Sequence, residues 1–378
     1  TTTLAGTAAQ AGRRVLLEVE MNRRNFMKKA GIAVAGASIS PLMFANAQRS
    51  KFSFEMVTSW PTSLDTLYGG AESVARYIEE ASSGDITVKV YPAGAQIGAL
   101  EVYDAVSTGA FAMAHTAPYY FINKNPAHGF FTTVPFGMDS QQFNAWMYSG
   151  NGDALHQELL APDDMVAFPS GNTGAQTGGW FKREVHTVAD LQGLSMRFPG
   201  FGGQVMGRVG MNVQNIPGGE LFLALDTGVV DAADWVGPYD DQILGLNKAA
   251  PYYYFPSWAE PGPGVCTYMN KGEFESLPTD LQAVIRDACA RVNVEMLSNY
   301  DTKNYRALQE LVASGTQIRL FSDEILKAFA EATEAIHAEN AANNAAYQRI
   351  LDDYRAFLDN VRAWTKITYN AFNEFIFQ

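Results

Sequence analysis

The chain has 378 residues, of which 47% are hydrophobic, so it can bury a large core, and its length favours two domains. Its formal net charge is -13. The charge becomes -17 without residues 1–47, which hold six of the 27 Lys/Arg and two of the 40 Asp/Glu. Nucleic acids and anionic lipids are polyanions, so an acidic body disfavours both as partners. After residue 47 no run approaches the ~18 apolar residues of a membrane-spanning helix.

The amino-terminal part of the chain is typical of an export signal. Residues 1–20 carry no turn or cap pattern, and we treat them as upstream sequence. Residues 21–47 combine a basic head, an apolar run and the small-residue cleavage pattern ANA. Arg23 and Arg24 are similar to the pair in twin-arginine export signals. We therefore expect a periplasmic protein that folds before export and has no membrane anchor.

Strand and helix periodicities alternate through the rest of the chain. Apolar alternation predicts strands at 53–58 and 86–90, with a helix at 67–81 between them. A strand, a helix and a strand at this spacing form a parallel unit. One long helix is predicted over 139–160, and a second α/β unit begins after Gly171. Two such units indicate a bilobal α/β protein, in which two open α/β domains surround a cleft.

The second unit has its own helix and strand signals. Thr187 and Asp190 form a capping-box pattern that predicts a short helix. A strand is predicted over 229–236. The helical pattern over 278–313 is too long for one small domain, and we expect this helix to span both lobes.

The end of the chain predicts a helical extension. Six apolar residues recur there at spacings of three and four, which produces a wide apolar face that we expect to pack on a second copy in a homodimer. These residues are Phe357, Val361, Trp364, Ile367, Ala371 and Phe375. The predicted bounds are 48–172 plus 263–302 for one lobe, 173–262 plus 303–340 for the other, and 341–378 for the dimerisation segment.

Arg197 is the first candidate binding residue. It lies between Met196 and Phe198, just before a Pro-Gly pair, where a solvated surface charge is not expected. Its planar guanidinium suits bidentate capture of a carboxylate, which a lysine could not reproduce. The alternative is a structural arginine that pairs with a neighbouring Asp or Glu.

Asp234 is the second candidate, at the end of an apolar strand in the run DAADWVGPYDD. Open α/β sheets bind ligands outside the carboxyl ends of their strands. A carboxylate from Asp234 and the amide oxygen of Gln176 are the ligands that a hard cation such as Na⁺ or Ca²⁺ prefers. The alternative is that Asp234 caps the following helix or turn.

Other motifs do not indicate a site. Cys266 and Cys289 lack metal-site spacing, and we interpret them as buried thiols, with a disulfide as the alternative. The run GFGGQVMG lacks the third glycine of a dinucleotide-binding loop. The five histidines are scattered, so no catalytic triad is visible.

Six segments of the chain resemble TRAP transporter solute-binding proteins, and their α-keto-acid-binding branch most closely. In chain order they are SWPTSLDTLYGGAE, YPAGAQIGALEVYDAVSTG, GNTGAQTGGWF, LQGLSMRFPGF, DAADWVGPYDD and APYYYFPSW. The resemblance extends from Met21 to the end of the chain. It implies two α/β domains that are joined by crossing strands and a spanning helix and close on an organic acid in the periplasm. It also implies membrane transporter subunits as partners and a homodimer.

The resemblance also implies roles for individual residues. Arg197 matches the arginine that receives the substrate carboxylate. Four residues match the surroundings of a cation that bridges to the substrate: Gln176, Asp234, Trp235 through its carbonyl and aromatic ring, and Glu260. Asp234 departs from the branch, which has glutamate there. Four further residues match pocket-lining positions, although the tyrosines could equally be core: Tyr119, Tyr120, Asn172 and Phe201.

The sequence therefore predicts a receptor for a small 2-oxo monocarboxylate such as pyruvate, bound as a complex with Na⁺ or Ca²⁺. One alternative is the same fold binding lactate and other 2-hydroxy acids, C4-dicarboxylates or sugar acids. A less favoured alternative is a periplasmic metal-dependent enzyme acting on 2-oxo acids, which would need a general base near the metal.

Overall fold

The computed structural model describes residues 52–377. The predicted export signal at 21–47 and the upstream residues lie outside this range. Within it, no helix is long and apolar enough to cross a membrane.

The strands form two sheets. In chain order they are β1 (Phe52–Thr58), β2 (Ile86–Tyr91), β3 (Met113–Thr116), β4 (Met165–Asn172), β5 (Gly179–Phe181), β6 (Ser195–Arg197), β7 (Asn212–Gln214), β8 (Ala232–Ala233), β9 (Tyr252–Phe255), β10 (Gly264–Asn270) and β11 (Gln317–Leu320).

Helices cover both sheets. In chain order they are α1 (Leu67–Ala81), α2 (Val102–Ser107), α3 (Ser140–Ser149), α4 (Gly152–Leu160), α5 (Val188–Leu191), α6 (Gly200–Arg208), α7 (Leu221–Asp226), α8 (Pro238–Leu244), α9 (Leu246–Ala249), α10 (Lys271–Glu275), α11 (Thr279–Ala313), α12 (Asp323–Asn343), α13 (Ala345–Thr365) and α14 (Ala371–Ile376).

Each sheet is mixed and open. The first has the order β2-β1-β3-β10-β4, in which β1 runs parallel to β2 and β3 while β10 runs antiparallel to β3 and β4. The second has the order β11-β9-β5-β8-β6-β7. We name the parts around these sheets lobe I and lobe II. The two sheets with their helices confirm the predicted α/β class, while the exact lobe bounds stay a prediction.

Two extended segments and one long helix connect the lobes. The chain passes from β4 to β5, and later from β9 back to β10. Helix α11 has 35 residues, packs on β4 and α1 of lobe I, and also packs on α8 of lobe II. This matches the long helix expected over 278–313.

Two predicted elements differ from the structure. The single helix expected over 139–160 is broken after α3, because Gly150 leaves the helical conformation (φ -97°, ψ -152°). The strand expected over 229–236 is reduced to Ala232–Ala233. The residues that follow leave the sheet because Asp241 binds their backbone N–H groups, as described below.

Cys266 and Cys289 are both buried and free, in agreement with the buried-thiol interpretation rather than a disulfide. Burial raises the pKa of both thiols, most strongly that of Cys266. Neither sulfur is therefore poised as a thiolate nucleophile.

Candidate functional site

A small cavity lies between the lobes. Its volume is about 10 Å³, roughly the space that one ordered water needs. A much larger cavity of about 590 Å³ lies on lobe I beside Phe168 and Arg286, but no predicted site residue reaches it. The residues that line the small cavity are Trp60, Leu67, Ala117, Tyr119, Tyr120, Thr132, Thr173, Gln176, Trp235, Val236, Pro263, Gly264 and Val265.

Arg197 ends β6 and is 1% exposed. Its Nε donates to the carbonyl of Ile216 at 3.1 Å, and its Nη1 donates to the carbonyl of Asp234 at 2.6 Å. Nη1 is also 3.5 Å from Oδ2 of Asp234, and the guanidinium carbon lies 4.9 Å from the centre of the Trp235 ring. The arginine thus pairs with an acid, as the alternative interpretation supposed, and also lies beside a wall of the cavity.

Gln176 and Glu260 come from the two extended segments that connect the lobes. These segments run side by side: the Gln176 N–H donates to the Glu260 carbonyl at 3.1 Å, and the Thr173 N–H donates to the Pro263 carbonyl at 3.0 Å. The amide nitrogen of Gln176 donates to Oγ1 of Thr173 at 3.1 Å, which leaves the amide oxygen on the other side. The two side chains are therefore positioned by the junction between the lobes.

Five buried oxygens at this junction accept no hydrogen bond. They are Oε1 of Gln176, Oδ1 and Oδ2 of Asp234, and Oε1 and Oε2 of Glu260. When both acids are ionised all five are acceptors, so they cannot satisfy one another without a donor or a cation. Burying two ionised carboxylates beside a single arginine is costly, and a bound cation would offset that cost.

The pKa values of the two acids reflect this burial. Burial raises the pKa of Asp234 well above its usual value, the charge of Glu260 raises it further, and Arg197 opposes the shift. Burial raises the pKa of Glu260 to about 8 against the effect of Arg197. A divalent or monovalent cation would favour the ionised form of both acids, because it replaces repulsion by attraction.

The donor set fits a hard cation. Two carboxylates and one amide oxygen match Na⁺ or Ca²⁺ and do not match zinc, which prefers nitrogen and sulfur. Between residues 52 and 377 no group of three or more His, Cys, Asp or Glu could hold a metal. Main-chain and ligand oxygens would therefore have to complete the coordination.

Asp234 does not cap the next helix. Gly237 is the N-cap residue of α8. The residue that binds this turn is Asp241, whose Oδ1 accepts from the N–H groups of Val236 at 3.2 Å and Gly237 at 3.1 Å. The carboxylate of Asp234 is consequently free for another partner.

Asp241 is a site-supporting residue to which the sequence analysis gave no role. Its Oδ2 accepts from Nε1 of Trp180 at 2.8 Å and from the hydroxyl of Tyr253 at 2.6 Å, beneath a stack of these two rings. Burial raises its pKa to about 6 despite these donors. The residue fixes the turn directly after Trp235. The sequence does contain a signal that could have indicated this role: Asp241 belongs to an acidic pair in the first turn of a helix, and the residues around that pair are apolar.

Five of the predicted site residues do not line the cavity itself: Arg197, Asp234 and Glu260, which lie beside it, and Phe201 and Asn172. Phe201 packs on the opposite side, where its ring centre lies 5.3 Å from that of His337 and 5.5 Å from that of Phe130. Asn172 donates from Nδ2 to the Gly262 carbonyl at 3.0 Å and thereby holds the two connecting segments together. These positions correct the expectation for Phe201 and Asn172.

Comparison with known proteins identifies the family. Residues 56–360 match the model of the bacterial extracellular solute-binding proteins, family 7, known as DctP. The chain belongs to this family. It is therefore a solute-binding protein of the TRAP transporter type, and the predicted resemblance is confirmed.

Individual relatives of this TRAP solute-binding protein are similar over nearly their whole length. It is 43% identical over 360 residues to a monocarboxylate 2-oxoacid-binding periplasmic protein of Nostoc sp., covering 94% of this chain and 99% of the relative. A Pseudoalteromonas atlantica TRAP periplasmic solute-binding protein with bound sodium and pyruvate has a TM-score of 0.84 at 35% identity, covering 86% of this chain and 99% of that one.

A third similar protein is a TRAP transporter solute-binding protein from Bordetella bronchiseptica. Its TM-score is 0.85 at 36% identity, over 87% of this chain and 98% of that one. It is described as a mixed-occupancy dimer, with copurified calcium and picolinate in one active site and an apo second site.

Proposed function

We propose that this TRAP solute-binding protein is a periplasmic receptor for a small 2-oxo monocarboxylate such as pyruvate, which it binds together with Na⁺ or Ca²⁺ and delivers to the membrane subunits of the transporter. The observation that carries the proposal is the set of five buried oxygens that accept no hydrogen bond and lie beside Arg197. A 2-oxo acid and a cation would satisfy these oxygens and the arginine at once. The pyruvate-bound and 2-oxoacid-binding relatives support this choice.

In this proposal each ligand atom has a partner of matching charge. The substrate carboxylate meets Arg197, while Gln176, Asp234, Glu260 and the Trp235 carbonyl surround the cation. The 2-oxo oxygen and one carboxylate oxygen add two ligands, which brings the total to the ~6 or more that Ca²⁺ prefers. Because the cation is positive, it offsets the repulsion between the two acids and an incoming anion.

The volume of the cavity does not choose among the candidate acids. At about 10 Å³ it holds roughly one water, so pyruvate, lactate and a C4-dicarboxylate would each require the site to rearrange. The relatives that bind 2-oxo acids support pyruvate as the first ligand to test.

A binding role is favoured over catalysis because the histidine nearest the cavity is already engaged. Nδ1 of His115 accepts from Nε1 of Trp60 at 2.8 Å, and Nε2 lies 3.3 Å from the Ser170 carbonyl. Burial lowers the pKa of His115 to about 4. A residue held this way supports the Trp60 wall and is poorly placed to act as a general base.

A thermal-shift panel tests the proposed function. Pyruvate, lactate, propionate and succinate are each compared with added Na⁺, with added Ca²⁺, and in a potassium buffer with chelator. We expect pyruvate to raise the melting temperature only with Na⁺ or Ca²⁺, and propionate, which lacks the 2-oxygen, to have little effect. Asp234→Ala should lose the cation-dependent response. Equal stabilisation by pyruvate and propionate in chelator would contradict the metal-bridged complex, and turnover of any hit would indicate an enzyme.

We further propose a homodimer formed through the end of the chain. Four large apolar side chains there are exposed: Trp364, Ile367, Phe372 and Phe375. An exposed apolar face of this size usually marks an interface. The dimeric relative from Bordetella bronchiseptica supports the proposal.

A further inference from the structure

A polar contact joins the two lobes beside the cavity. The hydroxyl of Tyr239, in α8 of lobe II, donates to Oδ2 of Asp65, in the loop before α1 of lobe I, at 3.1 Å. Nζ of Lys303, on α11, donates to the same oxygen at 2.9 Å and to Oγ1 of Thr66 at 2.9 Å. Nζ also lies 4.5 Å from the centre of the Tyr239 ring. One carboxylate oxygen thus holds a tyrosine and a lysine together.

Asp65 and Tyr239 each lie close in the chain to a residue that lines the cavity, one in each lobe. Asp65 lies two residues before Leu67, which begins α1 and lines the cavity from lobe I. Tyr239 lies three residues after Val236, which lines it from lobe II. The backbone between them is held by Asp241 through the Val236 N–H. Separating Leu67 from Val236 therefore requires breaking the bond between Asp65 and Tyr239.

The contact is partly exposed to solvent. The side chain of Asp65 is 56% exposed and that of Lys303 is 28% exposed, so water and salt screen their attraction. The Tyr239 N–H is also held by Oδ1 of Asn304 at 3.0 Å, which fixes the start of α8 against α11. The tyrosine hydroxyl consequently meets Asp65 only when lobe I approaches.

We propose that Asp65, Tyr239 and Lys303 form a latch that holds the lobes closed and sets how long the ligand stays bound. The latch touches neither the cation nor the substrate. It acts by keeping the walls at Leu67 and Val236 together, and the choice of ligand for its test rests on the proposed function.

The test is the dissociation rate of pyruvate in the presence of Ca²⁺, measured by stopped flow. Tyr239→Phe removes only the hydroxyl, and Asp65→Asn removes only the charge. We expect each to speed dissociation about fivefold, the scale of one partly exposed hydrogen bond or ion pair. The double variant should be faster than either single variant, because Tyr239→Phe removes the hydrogen bond while Asp65→Asn removes the ion pair with Lys303. Raising the salt concentration should speed dissociation from the wild type but not from Asp65→Asn.

Glu80→Gln is the matched control. Glu80 is 59% exposed and pairs with Arg76 within α1, so its loss removes a comparable ion pair inside one lobe. We expect its dissociation rate to equal that of the wild type. If both latch variants also release pyruvate at the wild-type rate while retaining the wild-type melting temperature, the latch is wrong.

A second measurement separates the latch from the identity of the ligand. Spin labels at Glu79→Cys in lobe I and Thr227→Cys in lobe II, both exposed positions, report the distance between the lobes. Asp65→Asn should decrease the closed population of the ligand-free protein, and an unchanged distance distribution would overturn the latch. If the wild type binds no pyruvate with either cation, the proposed function fails and this distance alone decides the latch.

Discussion

Arg197 is held in place by the protein before any ligand arrives. The carbonyls of Ile216 and Asp234 accept from two of its nitrogens, and the Trp235 ring lies against its face. A group that is already ordered loses little conformational entropy on binding. A lysine at this position has a single ammonium nitrogen, so it lacks the paired donors and the planar face of the guanidinium group.

Arg197→Lys should therefore weaken pyruvate binding by at least about 2 kcal/mol, roughly 30-fold, the scale of a charge-assisted bidentate contact. Isothermal titration calorimetry with Ca²⁺ present measures the change. Arg208→Lys serves as the control, because Arg208 pairs with Glu339 on the surface of lobe II. If Arg197→Lys binds pyruvate with an affinity within a factor of two of the wild type, Arg197 is not the residue that binds the carboxylate.

The raised pKa of Glu260 predicts how cation binding depends on pH. At pH 7 the cation-free protein holds a proton that the unfolded chain releases near its ordinary pKa of 4.5, because burial raises the folded pKa to about 8. The contribution of this group to stability therefore falls as pH rises from about 4.5 to about 8. A cation must displace the proton, so its affinity should rise over the upper part of that window.

We accordingly expect the gain in melting temperature that Ca²⁺ produces to grow from pH 6 to pH 8. Glu260→Gln should flatten this dependence, because the amide does not titrate. Differential scanning fluorimetry with and without Ca²⁺ at each pH provides the measurement. A calcium gain that is equal at pH 6 and pH 8 in the wild type would refute the assignment of Glu260 to the cation.

At the scale of elements, the end of the chain divides into two parts. Helix α13 packs on lobe I, where Oδ1 of Asp353 accepts from Nε1 of Trp146 at 2.8 Å and the hydroxyl of Tyr354 accepts from the N–H of Met138 at 2.8 Å. Phe357 and Val361 consequently pack against the core of their own chain. The apolar face available to a partner therefore begins at Trp364, later than the predicted segment 341–378 suggested.

Deleting residues 366–378 should produce a monomer that still binds pyruvate, because the deletion leaves the contacts of α13 with lobe I in place. Size-exclusion chromatography with light scattering measures the mass at micromolar concentration. Phe375→Asp should also dissociate the dimer, whereas Tyr305→Asp, at another exposed aromatic position on α11, should not. A monomeric wild type would contradict the proposed dimer.

At the scale of the whole molecule, two glycines face aromatic rings across the lobes. A Cβ on Gly200 would lie 2.5 Å from Cδ2 of Tyr119, and a Cβ on Gly129 would lie 2.4 Å from Cε2 of Phe201. Each glycine thus allows an aromatic ring of the other lobe to approach its backbone. Any added side chain must push the lobes apart or displace the ring.

Gly200→Ala should weaken pyruvate binding about tenfold, because the methyl group opposes the closed arrangement at Tyr119. Gly193→Ala is the control for backbone strain: Gly193 also has a positive φ of 75°, but nothing lies within 4 Å of its added Cβ. Both variants pay ~1 kcal/mol or more for the left-handed conformation. Small-angle scattering with pyruvate and Ca²⁺ should show incomplete compaction only in Gly200→Ala. If the two variants bind pyruvate with equal affinity, the close approach of Gly200 to Tyr119 is not needed for closure.

The sequence by itself determined the elements that local patterns specify. Helix α1 has the bounds predicted from its apolar spacing, the capping box of α5 is present at Thr187 and Asp190, and α11 spans the predicted length. These features depend on residues within one or two turns of each other, so periodicity and capping chemistry suffice. The binding roles that the motifs suggest for Gln176, Arg197 and Asp234 stay predictions.

Only the tertiary structure decided which side chains face the cavity. Phe201 lies only four residues after Arg197 yet packs away from the cavity, since the start of α6 turns its ring toward His337. Asp241 supports the turn after Trp235 through Trp180 and Tyr253, two residues that are distant in sequence. The latch likewise joins Asp65 to a tyrosine 174 residues away. Such contacts depend on how the two sheets and α11 are arranged, and no local pattern encodes that arrangement.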